Sequence, residues 1–386
     1  MDISRRSLMK IAALMVADAA AQSYLCWPAP PPGHADRKVI VLISGGVRRA
    51  QTFSETGADN IPHLFHDLLP QALFYAQVRN EGVTGHFNTT SSILTGNWQR
   101  VDDWGKMPPA SPTIFEYLQK HTGLHKRDVW FVSSNKALTN LVGASSAPGY
   151  GPRYGANVVF PKQLLINTVM NVNWQGRRGS IADRNRMQAE IEAMLQGSNY
   201  EGLGWTVADE ASELDPQVRA TVVKAIADLV HENSPVTGDE FTFLVSVEVM
   251  RRFAPSLLVI SFSDVEVAHF GSYSLHLAGI RTLDRLAHQL WQEIESSPSY
   301  KAKTTLMILP EFGRDPDGSN TNGFFNHRSN EDSTRSTWMM CLGGAVGQPQ
   351  VVERPVRHVD LCPTIASLLD CREPEVLGQR IREIRT

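Results

Sequence analysis

The residues best suited to chemistry fall at the ends of two apolar runs. Leu257–Phe262 is one run, and Asp264, Glu266 and His269 follow it directly. Thr305–Leu309 is the other, leading into Pro310-Glu311-Phe312-Gly313-Arg314-Asp315. Short continuous apolar runs read as buried strands. Acids and a histidine at the C-terminal tips of two such strands mark where open α/β sheets present a site; the ordinary alternative is a βαβ unit with solvated loop charges. Further upstream, Gly85-His86-Phe87-Asn88-Thr89-Thr90-Ser91-Ser92 crowds hydroxyls ahead of Ile93-Leu94-Thr95-Gly96. That run reads either as a nucleophile turn at a helix N-terminus, with Thr89, Thr90 or Ser91 as candidates, or as a Ser/Thr-capped helix start. His327 sits in a Gly/Asn loop, Asn320–Arg328.

The elements that must position these groups are legible from periodicity. Leu277, Ile280, Leu283, Ala287, Leu290 and Ile294 recur at three and four residues and predict a helix between the two runs, ended by Ser296-Ser297-Pro298. Val39–Ile43 is a first buried strand, broken at Ser44-Gly45-Gly46, with no pattern for a nucleotide loop. Leu73–Val78, Asp128–Ser133 and Ser336–Leu342 are further strands, and Pro112–Lys120 and a segment starting at Ile61-Pro62 are helices. Leu141–Gly155 reads as a surface loop, and the stretch from about 160 to 240 as a helical insertion, with one helix over Ala182–Leu195 and another opening at Asp215-Pro216. The C-terminal Val356–Leu369 is read as a helix with Pro363 early in it. Strands alternating with helices predict an α/β domain with a mostly parallel sheet.

The chain has 386 residues and a formal net charge of −3, which gives no electrostatic case for nucleic acid. Its four cysteines (Cys26, Cys341, Cys362, Cys371) have no zinc-knuckle spacing; Cys362 and Cys371 are read as small buried residues that could pair in an oxidising compartment. Ser4-Arg5-Arg6-Ser7-Leu8-Met9-Lys10 resembles a twin-arginine signal, followed by a short apolar stretch and A-x-A sites near residue 21. The expected organisation is therefore a signal peptide over 1–21, a proline-rich linker over 22–37 and one domain over 38–386. That organisation implies a periplasmic or other extracytoplasmic location by twin-arginine export, with membrane contact only during export.

In this order, the opening strand and glycine turn (Val39–Gly46), the hydroxyl run ending in Thr95-Gly96, the acid and His269 before a long helix, and Pro310-Glu311-Phe312-Gly313 resemble the alkaline phosphatase superfamily. His327 and the ending His358-Val359-Asp360-Leu361-Cys362-Pro363-Thr364-Ile365 complete the likeness. The resemblance implies an alkaline-phosphatase-like sheet flanked by helices. It also implies divalent metal (zinc, iron or manganese) and hydrolysis of phosphate or sulfate esters, small or on an envelope polymer. One metal site carries over as Asp264 or Glu266 with His269 and His327, the family acid lying four residues before its histidine. The second site departs. Ser44-Gly45 stands where an acid belongs, Glu311-Phe312 replaces Asp-His, and the nucleophile's spacing falls near His86 rather than on Thr89 or Thr90. Glu311 would assist as ligand or catalyst, and Arg48 and Arg314 would bind the anionic group. The losses reduce the expected metal to one, with a water nucleophile, or none; they also leave a second reading open, a non-catalytic descendant serving a periplasmic protein partner, and a third, a transferase or mutase on an envelope polymer.

Overall fold

The computed structural model describes residues 37–100, 107–135, 142–161, 237–318, 323–372 and 374–385. The expected signal segment, nearly all of the expected linker and insertion, Cys26 and the two helices expected within 182–233 lie outside the described residues.

Among the described residues, nine strands form one mixed sheet: β1 (Lys38–Ser44), β2 (Leu73–Arg79), β3 (Val129–Ser133), β4 (Asn157–Val159), β5 (Leu257–Phe262), β6 (Thr304–Pro310), β7 (Ser336–Gly343), β8 (Gln350–Val352) and β9 (Val356–Arg357). Their order is β4-β3-β5-β1-β6-β7-β2-β8, with β9 beside β2. The five strands from β4 to β6 are parallel, whereas β7 runs antiparallel to both β6 and β2. On β1, Ile40 and Leu42 enter the core on one face while Val39, Val41 and Ile43 enter the core on the other. Burial on both faces is why the central strands read as unbroken apolar runs rather than alternating ones.

The described α-helices of eight residues or more are α1 (His86–Thr95), α2 (Ile114–Thr122), α3 (Gly238–Phe253), α4 (Tyr273–Ser296) and α5 (Leu361–Leu368). Thr113 caps α2 in a reciprocal pairing with Glu116, whose carboxylate accepts the Thr113 N–H at 2.6 Å. Helix α4 buries Ile280, Leu283, Ala287, Leu290 and Ile294, as its spacing predicts. Cys341, Cys362 and Cys371 are buried and free, behaving as small apolar residues.

Two departures matter for the site. The hydroxyl run is the body of α1, not its start: the helix begins at His86 with Gly85 as N-cap and ends at Gly96 in the left-handed region, φ 70°. Thr89 through Thr95 are buried there, so a polar segment makes a core helix that hydropathy periodicity does not reveal. Helix α3 and the short strands β4 and β8 also lie outside the sequence expectations, and Val356–Arg357, expected to open the C-terminal helix, instead pair with Val78 and Arg79 as β9. β4 and β8 occupy the ends of the strand order, and strands of two or three residues leave little pattern to read.

Candidate metal centre

The C-terminal ends of β1, β5 and β6 lie side by side at the middle of the sheet. Beyond β5 the chain makes a 3-10 helix, Asp264–Phe270. Side chains three apart eclipse on such a helix, so Glu266 and His269 share a face and Asp264 does not. His269 Nε2 lies 3.1 Å from Glu266 Oε2. Asp264 turns instead toward the start of α3, where its carboxylate accepts the Asp239 N–H at 3.3 Å. Asp239 in return accepts from the N–H groups of Ser263 and Asp264 at 2.7 and 3.0 Å. Burial, followed by the nearby Asp264, pushes the Asp239 carboxyl well above its usual range. Of the two acids left open by spacing, the structure brings Glu266 to the histidines and uses Asp264 to join two helix starts.

Four side chains converge at this point. Glu266, His269, His327 and His86 each offer a ligand atom, and these atoms all lie within 4.8 Å of one another. His327 Nε2 is 3.0 Å from His269 Nε2 and 3.9 Å from Glu266 Oε2. Its other nitrogen, Nδ1, is 2.7 Å from the Thr84 carbonyl oxygen, which fixes Nδ1 as the protonated one and leaves Nε2 its lone pair. His86, first residue of α1, places Nε2 3.3 Å from Glu266 Oε2 and Nδ1 2.6 Å from Glu311 Oε2. The Thr90 hydroxyl, one turn further along α1, donates to Glu311 Oε1 at 2.5 Å. Glu311 thus stands one shell back, orienting His86.

The cluster is largely buried, with side-chain exposures from 2% for His327 to 19% for His269. Burial works to raise the Glu266 carboxyl, but Arg314, His86 and His269 outweigh it and hold Glu266 well below the usual carboxylate range. Burial likewise works against a charged His86, yet the Glu266 and Glu311 carboxylates raise it well above the ordinary imidazole range. Burial, then the adjacent His86, keeps His327 well below it.

Three imidazoles and a carboxylate are a donor set for zinc, iron or manganese. A tetrahedral site with bonds of about 2.0–2.1 Å sets its donors about 3.3 Å apart. The 3.0, 3.1, 3.3 and 3.9 Å separations bracket that figure, so the residues fit an ion without rearrangement of the backbone. The carboxylate-to-His86 and carbonyl-to-His327 bonds are the outer contacts that metal-ligating histidines ordinarily make.

The other half of the expected site is built differently. A Cβ at Gly45 would meet Glu266 Oε1 at 2.2 Å. The Glu266 carboxylate therefore occupies the room a side chain at 45 would need, and accepts the Gly46 N–H at 2.6 Å. A Cβ at Gly46 would meet the Phe312 ring at 2.7 Å. Phe312 is fully buried and stacks on His327, ring centroids 4.2 Å apart. Where the resemblance expects an acid and a histidine, the structure has bare backbone and an apolar ring.

Of the remaining candidates, Thr90 is at the site through Glu311, but Thr89 turns away, accepting from Asn80 Nδ2 at 2.8 Å. Arg314 is fully buried and donates to Glu266 Oε2 at 2.6 Å, to the Gly46 carbonyl at 2.7 Å and to the Phe324 carbonyl at 3.2 Å. It braces a ligand rather than facing an anion. Arg48 spans both carboxylate oxygens of Asp317 at 2.8 Å and also donates to the Asp315 carbonyl. His86 is the donor that residue types did not single out; the one signal for it is the spacing back from Thr95-Gly96.

No family model matches the sequence, and no curated protein does either. Solved structures do. The wild-type alkaline phosphatase PafA aligns over 93% of this chain and 100% of its own, with a TM-score of 0.54 at 12% identity. An engineered variant of the same enzyme gives 0.55 over the same shares at 12% identity. The phosphonate monoester hydrolase SpPMH from Silicibacter pomeroyi aligns over 90% of this chain and 76% of its own, at 14% identity and a TM-score of 0.49. With its central parallel strands, flanking helices and site at the strand tips, this chain has the fold of the alkaline phosphatase superfamily.

Proposed function

We propose that the chain is an exported, metal-dependent hydrolase of phosphate or sulfate esters that works with a single metal held by Glu266, His269 and His327. The observation that carries this reading is the convergence of those donors, with His86, within 4.8 Å at the tips of the central strands. A metal bound there would supply Lewis-acid stabilisation of charge on the transferring group. The chain's own groups account for the rest. Arg314 and the Gly46 N–H fix both oxygens of Glu266. Glu311 and Thr90 fix the ring of His86, so that Nε2 faces the ligand cluster and can hold or pass the proton of an attacking water or leaving alcohol. Phe312 closes one side against water. Helix α1 has no side-chain cap at Gly85, so its first N–H groups and dipole favour an anionic ester beside His86.

Export through a twin-arginine signal, and esters either small or carried on an envelope polymer, complete the proposal. The donor count frames the alternative. Catalytic zinc keeps three protein ligands and an open position, whereas structural zinc is closed by four. If His86 binds as the fourth donor, the centre is structural and the chain a periplasmic binding or assembly subunit.

The test is metal content by elemental analysis, combined with a phosphoester and sulfoester screen. The expected outcome is bound zinc, iron or manganese and measurable turnover, with turnover abolished and one equivalent of metal lost in His269→Ala/His327→Ala. An unchanged metal content in that variant would refute the site. Metal without turnover on any ester would select the closed, non-catalytic reading.

A further inference from the structure

A second group of ligating side chains stands apart from this centre. His63 and Asp67 lie four residues apart on the helical turn His63–Leu68, and His288 meets them from α4. His63 Nδ1 is 2.8 Å from Asp67 Oδ2, and His288 Nε2 is 3.8 Å from the same oxygen. All three ligand atoms fall within 4.8 Å of one another. The two imidazoles stack, centroids 4.4 Å apart and planes 11° from parallel.

The arrangement is held from beneath. Asp284, buried and one turn before His288 on α4, accepts the N–H groups of His63 and Leu64 at 3.2 and 2.7 Å. Those two bonds satisfy the start of the 63–68 turn and fasten it to α4. Leu64 and Leu68 share one core with Leu283, Ala287 and Leu290 of α4. The donors above this base stay accessible, with side-chain exposures of 40% for His63, 48% for Asp67 and 22% for His288. Fixed backbones under reachable donors are what a surface metal site requires.

We propose that His63, Asp67 and His288 form a surface site for a divalent late transition metal (zinc, copper or nickel) that clips the 63–68 turn to α4. Two imidazoles and one carboxylate suit those ions, and water completes the coordination. Binding rotates the stacked rings so that their lone pairs converge on the ion. His288 lies twelve residues along α4 from His276, which touches Val265 and Gln51 beside the first centre. That is about 18 Å along the helix axis, so the clip takes no part in ester chemistry there.

Equilibrium dialysis of the full chain against zinc tests this in the His269→Ala/His327→Ala background, where the first centre is disabled. One equivalent retained in that background, and lost when His63→Gln and His288→Gln are added, is the expected result. No zinc in the background, or equal zinc with and without the added changes, would overturn the proposal. Because the first centre is absent from both proteins, neither outcome depends on the hydrolase reading. Should that background not fold, the same pair of substitutions in the otherwise unaltered chain should remove one equivalent and abolish one component of the cobalt(II) visible spectrum, while ester turnover stays unchanged. An unaltered stoichiometry and spectrum there would overturn it equally.

Discussion

The two halves of the centre are built from opposite materials. On the β5 side, Glu266, His269 and His327 are charged or polar groups withdrawn from water and bound to one another. On the β1 side stand Ser44, Gly45, Gly46 and the Phe312 ring, which offer backbone and an apolar face. The difference is not simple loss. Glu266 fills the space that a side chain at 45 would need, and Arg314 links Glu266 to the Gly46 carbonyl. The bare half is what lets the ligand half close around its acid. A second metal site cannot be restored here by one substitution, because its room is already occupied.

The largest expected effect comes from Glu266→Gln. It removes a proposed ligand and leaves Arg314, fully buried, without its carboxylate. Breaking a buried pair this way costs about 3–5 kcal/mol, read as a drop in unfolding free energy together with loss of bound metal. The same variant tests the sign of the pH dependence. Glu266 is depressed in the folded chain from an ordinary 4.5, so its contribution is present above pH 4.5 and is lost as pH falls from there through the folded-state value. In metal-free protein, Glu266→Gln should flatten that acid limb; an unchanged limb would show that Glu266 does not set it.

Gly45→Ala breaks the comparison from the other side. The new Cβ would meet Glu266 Oε1 at 2.2 Å, forcing the carboxylate or β1 to shift. Overpacking of this kind costs about 1–3 kcal/mol, and metal affinity should fall with it. Wild-type stability and metal binding in Gly45→Ala would show that Glu266 does not need the vacated space.

The smallest effect is expected from Glu311→Gln. The His86 ring keeps a hydrogen-bond partner but loses the carboxylate behind it. Changes to such outer contacts typically reduce metal affinity or activity by about 10–100-fold. Turnover should fall within that range with the fold intact by circular dichroism. A larger loss, approaching that of His269→Ala/His327→Ala, would place Glu311 among the ligands.

Several features of this protein are determined by its sequence alone. The strands β1, β5 and β6 are continuous apolar runs because both their faces are buried, and α4 shows its three-and-four spacing because one face is. With acids and histidines placed just after β5 and β6, these local patterns establish an α/β sheet with its site at the strand tips. The family resemblance, not these patterns, is what makes His269, His327 and one acid the expected ligands. Tertiary structure alone decided the rest. Whether Asp264 or Glu266 joins the histidines depends on the loop being a 3-10 helix, whose three-residue turn eclipses Glu266 with His269. The hydroxyl run became the interior of α1, because buried Thr and Ser found partners in Glu311, Asn80 and the Asn88 carbonyl. His86 lies 180 residues from Glu266, and only the adjacency of α1 to the ends of β5 and β6 makes it a donor. Local pattern records which faces are buried; it carries no record of which distant residue fills the space that a glycine leaves.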